Sequence, residues 1–534
     1  MYMNSLMNQI KKIGKTIAAP LEKHFYFFIT ILVLHALVDV VFFYIYWRFS
    51  LQVVLNGFLM AYLLTIPCLY INKYNLLFKV YKWLVFLPYI ISFTVDVVSH
   101  AVLDSSLDGD VAATILATNK DEIVECVETF FSITPILIGI VILFATFKVY
   151  QKLKQVRPRF IGCWMVGVIL GAVMTYMTPW SGLGGVIGKI AVFYESKTPI
   201  DISAYARVPE VRANPNAQPE NVVMIIGESL TKLHCSSYGY GKPTTPKLET
   251  LIRDSLLIQF NEVISPEVHT LPVFKTLFSQ YRVEWGDSVK WYTCPTLQNI
   301  LHQSGYRTYW ISNQSKRGVS DNFIGKYAEL CTENYFVGNK LAGMKRKTYD
   351  GEVLALLKPL LREESSDSLK RNFYVVHLMG SHFKFAKRYP KEFDHFQGNE
   401  YPELSLRQRE VVATYDNSVL YNDSVVYEVM NQFADKESIV FYFSDHAIDL
   451  YQSSSSYYGH AKKTKESFGW GQLIPFYVYV SPKYQKRFPE IITKLRKRVN
   501  KQFCTDNMFY TIMNVIDTEF VSQKDVKKYS LLAD

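Results

Sequence analysis

Cysteine is scarce in this chain, with seven in 534 residues, too few for a scaffold built on disulfides. No internal repeat is visible. No compact apolar segment with a small-residue cleavage site precedes the first long apolar run, so no cleavable signal is expected. Acid is the minority charge, and 48 Asp and Glu against 58 Lys and Arg give a net charge of +10. That excess does not predict nucleic acid as a partner, because the basic residues flank apolar runs or scatter through the second half. The second half also lacks long apolar runs, which crowd into the first third. The overall 49% hydrophobic content therefore averages two unlike halves.

Five runs are long enough for a bilayer, which takes about 20 residues: Phe25–Trp47, Leu51–Ile71, Tyr81–His100, Phe130–Tyr150 and Phe160–Thr178. Asp39 and Asp96 fall inside them. Intramembrane acids usually face the bundle interior; for Asp96 a position near the span's end, reaching water, is the simpler expectation. The N-terminus (Lys11, Lys12, Lys15, Lys23), second loop (Lys73, Lys79, Lys82) and fourth loop (Lys152, Lys154, Arg157, Arg159) are basic. The third carries Asp104, Asp108, Asp110, Asp121, Glu122, Glu125 and Glu128. The positive-inside rule then puts the basic loops in the cytoplasm, and five spans put the C-terminal half outside. There, Cys126, Cys235, Cys294, Cys331 and Cys504 could form disulfides. An odd number leaves at least one unpaired in a monomer. A Cys294–Cys331 bridge and free buried thiols are the alternatives.

The expected organisation is a transmembrane domain over 1–178, a connector over 179–220 and a catalytic domain over 221–534. The connector holds Gly182, Gly184, Gly185 and Gly188, an amphipathic element near Ile187–Tyr194 suited to a membrane surface, and a polar stretch ending at Pro219. Beyond it, strand and helix patterns alternate, as in α/β proteins. Strands are expected at Val222–Ile226, Thr308–Ile311, Phe373–His377, Ile439–Phe443 and Ile474–Val480. Helices are expected at Pro246–Ser255, Leu297–Ser304, Val353–Leu361 and Leu406–Asn431.

Two of these strands stop on metal-ligand chemistry. Val222–Ile226 ends in Gly227-Glu228-Ser229, and Ile439–Phe443 ends in Ser444-Asp445-His446. In open α/β sheets ligands bind beyond the carboxyl ends of strands, and carboxylates with imidazole suit Zn²⁺. A lone Glu after a strand reads more simply as a helix cap; the paired Asp-His tips the reading toward a cation.

An ordered set of segments then resembles the phosphoethanolamine transferases of Gram-negative bacteria, within the alkaline phosphatase/sulfatase superfamily. Gly227-Glu228-Ser229 is followed by Ser237-Tyr238-Gly239-Tyr240 and Thr244-Thr245-Pro246-Lys247-Leu248. Gly305-Tyr306-Arg307-Thr308 leads into Trp310-Ile311-Ser312-Asn313-Gln314. Next come His377-Leu378-Met379-Gly380-Ser381-His382, Tyr415-Asp416-Asn417, Tyr421-Asn422-Asp423 and finally Ser444-Asp445-His446. The Tyr-Gly-Tyr and Thr-Thr-Pro pattern is closer to the branch that modifies lipopolysaccharide core sugars than to the lipid A branch.

The resemblance implies a five-helix transmembrane bundle followed by a sulfatase-like α/β domain. It implies a monomer in the bacterial inner membrane with its catalytic domain in the periplasm, surrounded by membrane lipids. The donor would be phosphatidylethanolamine and the acceptor lipopolysaccharide or another envelope glycan. Thr270, in Thr270-Leu271-Pro272-Val273-Phe274-Lys275-Thr276-Leu277-Phe278-Ser279, takes the nucleophile's place. A helix-capping role is the alternative for Thr270, and His269 and Thr276 are its rivals. Glu228, Asp445, His446 and the Thr270 oxygen would hold one Zn²⁺, with room for a second. His382, His460 and Arg317 would bind the substrate phosphate, and Asn119 and Glu122 the ethanolamine head. His377 reads as a core residue.

The chain also departs from the family. Asp445-His446-Ala447-Ile448 lacks the usual Gly-Glu after Asp-His, with Asp449 the nearest substitute carboxylate. The Cys/Ser-x-Pro-x-Arg segment of true sulfatases is absent from the sequence. A phosphoglycerol transferase, a plain phosphatase and a non-catalytic receptor with a degenerate hydrolase domain remain the competing readings.

Overall fold

The computed structural model describes residues 2–40, 47–103, 127, 131–153, 158–177, 202–314, 323–337, 348–363, 371–454, 458–460, 465–521 and 528–533. The chain divides into two compact units, Met1–Ala113 with Cys126–Thr198, and Pro199–Asp534.

The first unit is helical: α1 (Tyr2–Val40), α2 (Trp47–Thr65), α3 (Asn75–Leu103), α4 (Ile133–Leu153) and α5 (Ile161–Met177). Among the described residues, four segments are long and apolar enough to cross a membrane: Leu6–Leu37, Val54–Ile71, Asn75–Ser99 and Ile133–Lys152. The fifth expected span is a shorter apolar helix, Ile161–Tyr176. The first span's expected bounds are corrected. α1 starts at Tyr2 and breaks at His24 (φ −130°, ψ 36°), four residues after Pro20, and Trp47 belongs to the next helix. Asp96 is 2% exposed, so it lies inside the bundle rather than reaching water. The side chain of Asp39 lies outside the described residues.

Small residues let two of these helices touch. A Cβ on Gly171 would sit 2.4 Å from the Leu55 carbonyl oxygen, and one on Gly167 would meet the Phe58 ring at 2.6 Å. Gly167 and Gly171 form a four-residue repeat of the kind that brings membrane helices into backbone contact.

The second unit is a seven-stranded sheet. Its strands are β1 (Asn221–Gly227), β2 (Leu257–Phe260), β3 (Tyr306–Ser312), β4 (Glu333–Phe336), β5 (Arg371–His377), β6 (Ser438–Ser444) and β7 (Phe476–Val480). The order is β2-β7-β6-β1-β5-β3-β4. Five neighbours, β6-β1-β5-β3-β4, run parallel, while β7 is antiparallel to both β6 and β2. Every residue of β1 and β6 is buried, as expected for strands covered on both faces. The covering helices include α6 (Pro246–Arg253), α7 (Thr270–Leu277), α8 (Val353–Glu363) and α9 (Leu406–Asn431).

Two sequence expectations change here. The connector does not extend to residue 220, because Val211–Ala213 pairs with Thr518–Phe520 and joins the globular unit. Ile187–Tyr194 lies outside the described residues. All six described cysteines are free, so the Cys294–Cys331 bridge does not form. Each thiol instead reaches back along its own turn, Cys294 to the Lys290 carbonyl at 4.0 Å and Cys331 to the Tyr327 carbonyl at 3.7 Å.

Replacing Gly171 with Leu should force α2 and α5 apart, since the obstructing atom is backbone. Gly162 has nothing within 4 Å of its ideal Cβ and serves as the control. Thermal unfolding of the detergent-solubilised chain should show a lower Tm for Gly171→Leu and an unchanged one for Gly162→Leu.

Candidate active site

β1 and β6 pair in parallel, with Gly227 opposite Ser444. The residues that follow, Glu228 and Asp445, therefore leave the sheet side by side. Two hydrogen bonds lock the loops together: Asp445 N–H donates to the Gly227 carbonyl at 3.1 Å, and Ser229 N–H to Asp445 Oδ1 at 3.3 Å. Ser229 adopts φ +56°, uncommon for a residue with a side chain, and its hydroxyl donates to Glu228 Oε1 at 2.7 Å. One ligand atom from each of Glu228, Asp445 and His446 lies within 4.8 Å of the others, and all three residues are buried. His446 Nδ1 is 2.9 Å from the Ala447 carbonyl. With the proton on Nδ1, Nε2 keeps its lone pair toward the carboxylates, 3.2 Å from Glu228 Oε1 and 3.5 Å from Asp445 Oδ2. Metal-ligating imidazoles are oriented in this way.

Thr270 completes the group. It is the first residue of α7, and the cap position belongs to His269. The hydroxyl of Thr270 is thus not used on its own helix. It donates to Glu228 Oε2 at 3.1 Å and lies 3.4 Å from His446 Nε2. The start of α7 also aims unpaired N–H groups and a positive dipole end at this point, which suits an anion.

The electrostatics fit a cation. Burial, then the neighbouring Glu228 charge, raises the Asp445 pKa to about 8. For His446, burial alone would lower the pKa, but the Asp445 and Glu228 carboxylates outweigh it and raise it to about 9. Glu228 is held well below the usual carboxylate range: burial opposes this, and the His446 ring overcomes it. Asp445 Oδ2 is buried without a hydrogen bond among the described residues. Two carboxylates and an imidazole, sharing protons in a dry site, are a donor set that suits Zn²⁺.

A profile of the sulfatase family matches residues 220–518. The chain belongs to the sulfatase family. It is 30% identical over 281 residues to phosphoethanolamine transferase EptC of Escherichia coli strain K12, covering 51% of this chain and 47% of that protein. It is 28% identical over 305 residues to phosphoethanolamine transferase CptA of Salmonella typhimurium, covering 55% and 50%. The chain thus spans about half the length of these curated relatives. Among solved structures, the C-terminal periplasmic domain of Escherichia coli EptC in complex with zinc matches with a TM-score of 0.53 and 26% identity, over 61% of this chain and 89% of that one. The integral membrane lipooligosaccharide phosphoethanolamine transferase A of Neisseria meningitidis matches with a TM-score of 0.62 and 18% identity, over 97% and 98%; that likeness shows the fold alone.

In this sulfatase-family site the support behind Glu228 is as specific as the candidate ligands. Gly380, at φ +53°, lies so close that a Cβ would stand 2.6 Å from the Glu228 nitrogen and 2.7 Å from its carbonyl oxygen. Ser381 N–H donates to the Glu228 carbonyl at 2.9 Å. Buried Asp350 holds this turn by accepting the Met379 and Gly380 N–H groups, both at 2.8 Å. Gln314 Nε2 donates to Glu228 Oε2 at 3.2 Å and to the Leu378 carbonyl at 3.0 Å. Sequence reasoning assigned no site role to Gln314, Gly380 or Asp350. The signal available for Gln314 was its place just past the end of β3, on the same sheet edge as Glu228.

The remaining candidates divide. The His460 ring centroid is 4.4 Å from that of His446 and 5.0 Å from that of His269. Burial, then the neighbouring His446 and His269, pushes the His460 pKa well below its ordinary value. His382 acts electrostatically on both Glu228 and His460, so all four histidines gather at one place. Thr276 instead donates to the Val273 carbonyl inside α7. His377 is 1% exposed and its ring lies tilted against Phe274, centroids 4.8 Å apart, as a core residue's does. Asp449 does not replace the missing carboxylate: its Oδ1 accepts the Gln452 and Ser453 N–H groups at 2.9 and 3.2 Å and closes its own turn. Arg317, Asn119 and Glu122 lie outside the described residues.

Two expectations follow. Gly380→Ala places a side chain at positive φ, which costs about 1–3 kcal/mol, and drives it into the Glu228 backbone. Lower Tm and reduced zinc content by atomic absorption should accompany each other. In the metal-free chain, Asp445 and His446 both bind their protons more tightly folded than unfolded. Their contribution to stability is therefore lost as pH rises, from about 4 up to about 9. Chelator-treated protein should lose Tm between pH 6 and pH 8.5, and added zinc should restore more of it at the higher pH.

Proposed function

We propose that the protein transfers phosphoethanolamine from phosphatidylethanolamine to a cell-envelope glycan, through a covalent phosphoethanolamine-threonine on Thr270. The acceptor is a core sugar of lipopolysaccharide or lipid A. One observation carries the reading: the Thr270 hydroxyl stands at a helix start, 3.1 Å from Glu228 and 3.4 Å from His446, with no capping duty. The names of the relatives support the group transferred, and the zinc complex of one of them supports the metal.

Glu228, Asp445, His446 and the Thr270 oxygen would hold Zn²⁺. Bound zinc supplies positive charge that makes the hydroxyl a better nucleophile and neutralises the phosphate. The Thr270 Oγ–phosphorus bond forms as the bond from phosphorus to the diacylglycerol oxygen breaks. The Thr270 proton already points at Glu228 Oε2. His382 and His460 would bind the phosphate oxygens, and His382 would deliver the proton that the leaving oxygen needs, since burial and the neighbouring His446 and His269 keep His460 deprotonated. An acceptor hydroxyl then attacks the same phosphorus and frees Thr270. Arg317 would bind the phosphate, and Asn119 with Glu122 the ethanolamine ammonium. The chain works as a monomer with five spans in the bacterial inner membrane and its catalytic unit in the periplasm.

Intact-mass analysis after incubation with the lipid should show one phosphoethanolamine adduct on the wild type and none on Thr270→Ala. An adduct surviving that substitution would exclude the nucleophile. Removing either His382 or His460 by Ala should slow adduct formation about 10²-fold or more, the usual range for acid–base groups, with zinc content retained.

A further inference from the structure

A second concavity lies on the same edge of the sheet as Glu228 and Asp445. Its volume is about 400 Å³, and its lining includes Tyr349, Tyr389, Phe396, Lys391, Asp394 and Glu410. Small-molecule sites begin at about 300 Å³. Topology places it. Tyr389 to Phe396 belong to the segment after β5, and Glu410 to the first turns of α9, which runs back from the carboxyl edge before entering β6. Tyr349 directly precedes Asp350, the residue that anchors the Gly380 turn.

The cavity wall and the catalytic loop share supports. Asn417 Nδ2 donates to Asp394 Oδ1 at 3.1 Å, and its Oδ1 accepts the Phe396 N–H at 2.7 Å. The adjacent Ser418 donates to Ser381 Oγ at 2.9 Å, and Ser381 N–H holds the Glu228 carbonyl. Tyr389 and Phe396 are 5% and 7% exposed, so their rings form a firm wall rather than a mobile fringe.

The chemistry of the lining selects its occupant. The partly exposed Tyr349 ring suits the C–H face of a sugar ring, and carboxylate oxygens accept hydrogen bonds from its hydroxyls. Two carboxylates against one Lys disfavour a phosphate here. We infer that this cavity is a subsite for an uncharged sugar of the glycan acceptor, remote from the sugar that receives phosphoethanolamine. The inference rests on the proposed transfer to a glycan. A remote subsite contributes binding energy to the second half of the reaction, in which the acceptor takes part, and leaves the first half alone.

The test separates the halves, using the full-length chain in detergent, phosphatidylethanolamine as donor and delipidated lipopolysaccharide core oligosaccharide as acceptor. Ala386 lines the cavity and is exposed, so Ala386→Trp narrows it without disturbing the core. Glu410→Gln is the milder second variant. Both should form the Thr270 adduct at the wild-type rate. Discharge of the adduct to the oligosaccharide should fall at least tenfold for Ala386→Trp, with a smaller fall for Glu410→Gln, while discharge to water stays constant. Undiminished discharge to the oligosaccharide overturns the subsite, and so does an equal loss in both halves. A raised donor KM would assign the cavity to the ethanolamine head instead and also overturn it. A wild type that forms no adduct sinks the transferase reading itself, an outcome distinct from all of these.

Discussion

The parallel register of β1 and β6 is the constraint on which the rest depends. Because Gly227 lies opposite Ser444, Glu228 and Asp445 emerge together, and two buried carboxylates face one imidazole. Like charges in a dry environment repel strongly. The fold tolerates them through shared protons, through the Ser229 and Gln314 hydrogen bonds to Glu228, or through a cation. A donor set suited to a divalent metal is thus a consequence of strand pairing. The same register sets the His446 ring beside Thr270, which the start of α7 presents.

Support for this arrangement comes from behind Glu228 as much as from beside it. Gly380 has no side chain because the Glu228 backbone occupies that space. Asp350 accepts the two N–H groups of the Gly380 turn, and the buried Asn313 amide donates to it at 2.8 Å. Burial raises the Asp350 pKa, against these hydrogen bonds. The edge is therefore a stack of hydrogen-bonded polar layers, in which a change at Gly380 or Asp350 reaches Glu228 through the Gly380 turn.

Much of the fold was legible from apolar pattern. α9 was read with the bounds it has, and β1, β3, β5, β6 and β7 were found because they are buried on both faces and read as continuous apolar runs. The strands missed, β2 and β4, lie at the two edges of the sheet. Leu-Ile-Gln-Phe and Glu-Asn-Tyr-Phe carry polar residues because an edge is less covered, and so their pattern is weak. The connector was read too long because a three-residue strand pairing with residues some 300 positions away leaves no local mark.

Glu228, Asp445 and His446 were marked as ligands by sequence alone, because two apolar strands end on them and strand ends are where such residues meet. Thr270 came from resemblance, and only the structure removed its capping alternative by giving that position to His269. The resemblance had put His382 and His460 at the site; tertiary structure alone added His269 beside His460, gave Gln314 and Gly380 their places, and turned Asp449 away. The physical reason is common to all of these. Local pattern records which residues a strand or helix buries, whereas the contacts that build a site join segments far apart in the chain, whose meeting depends on sheet order and register.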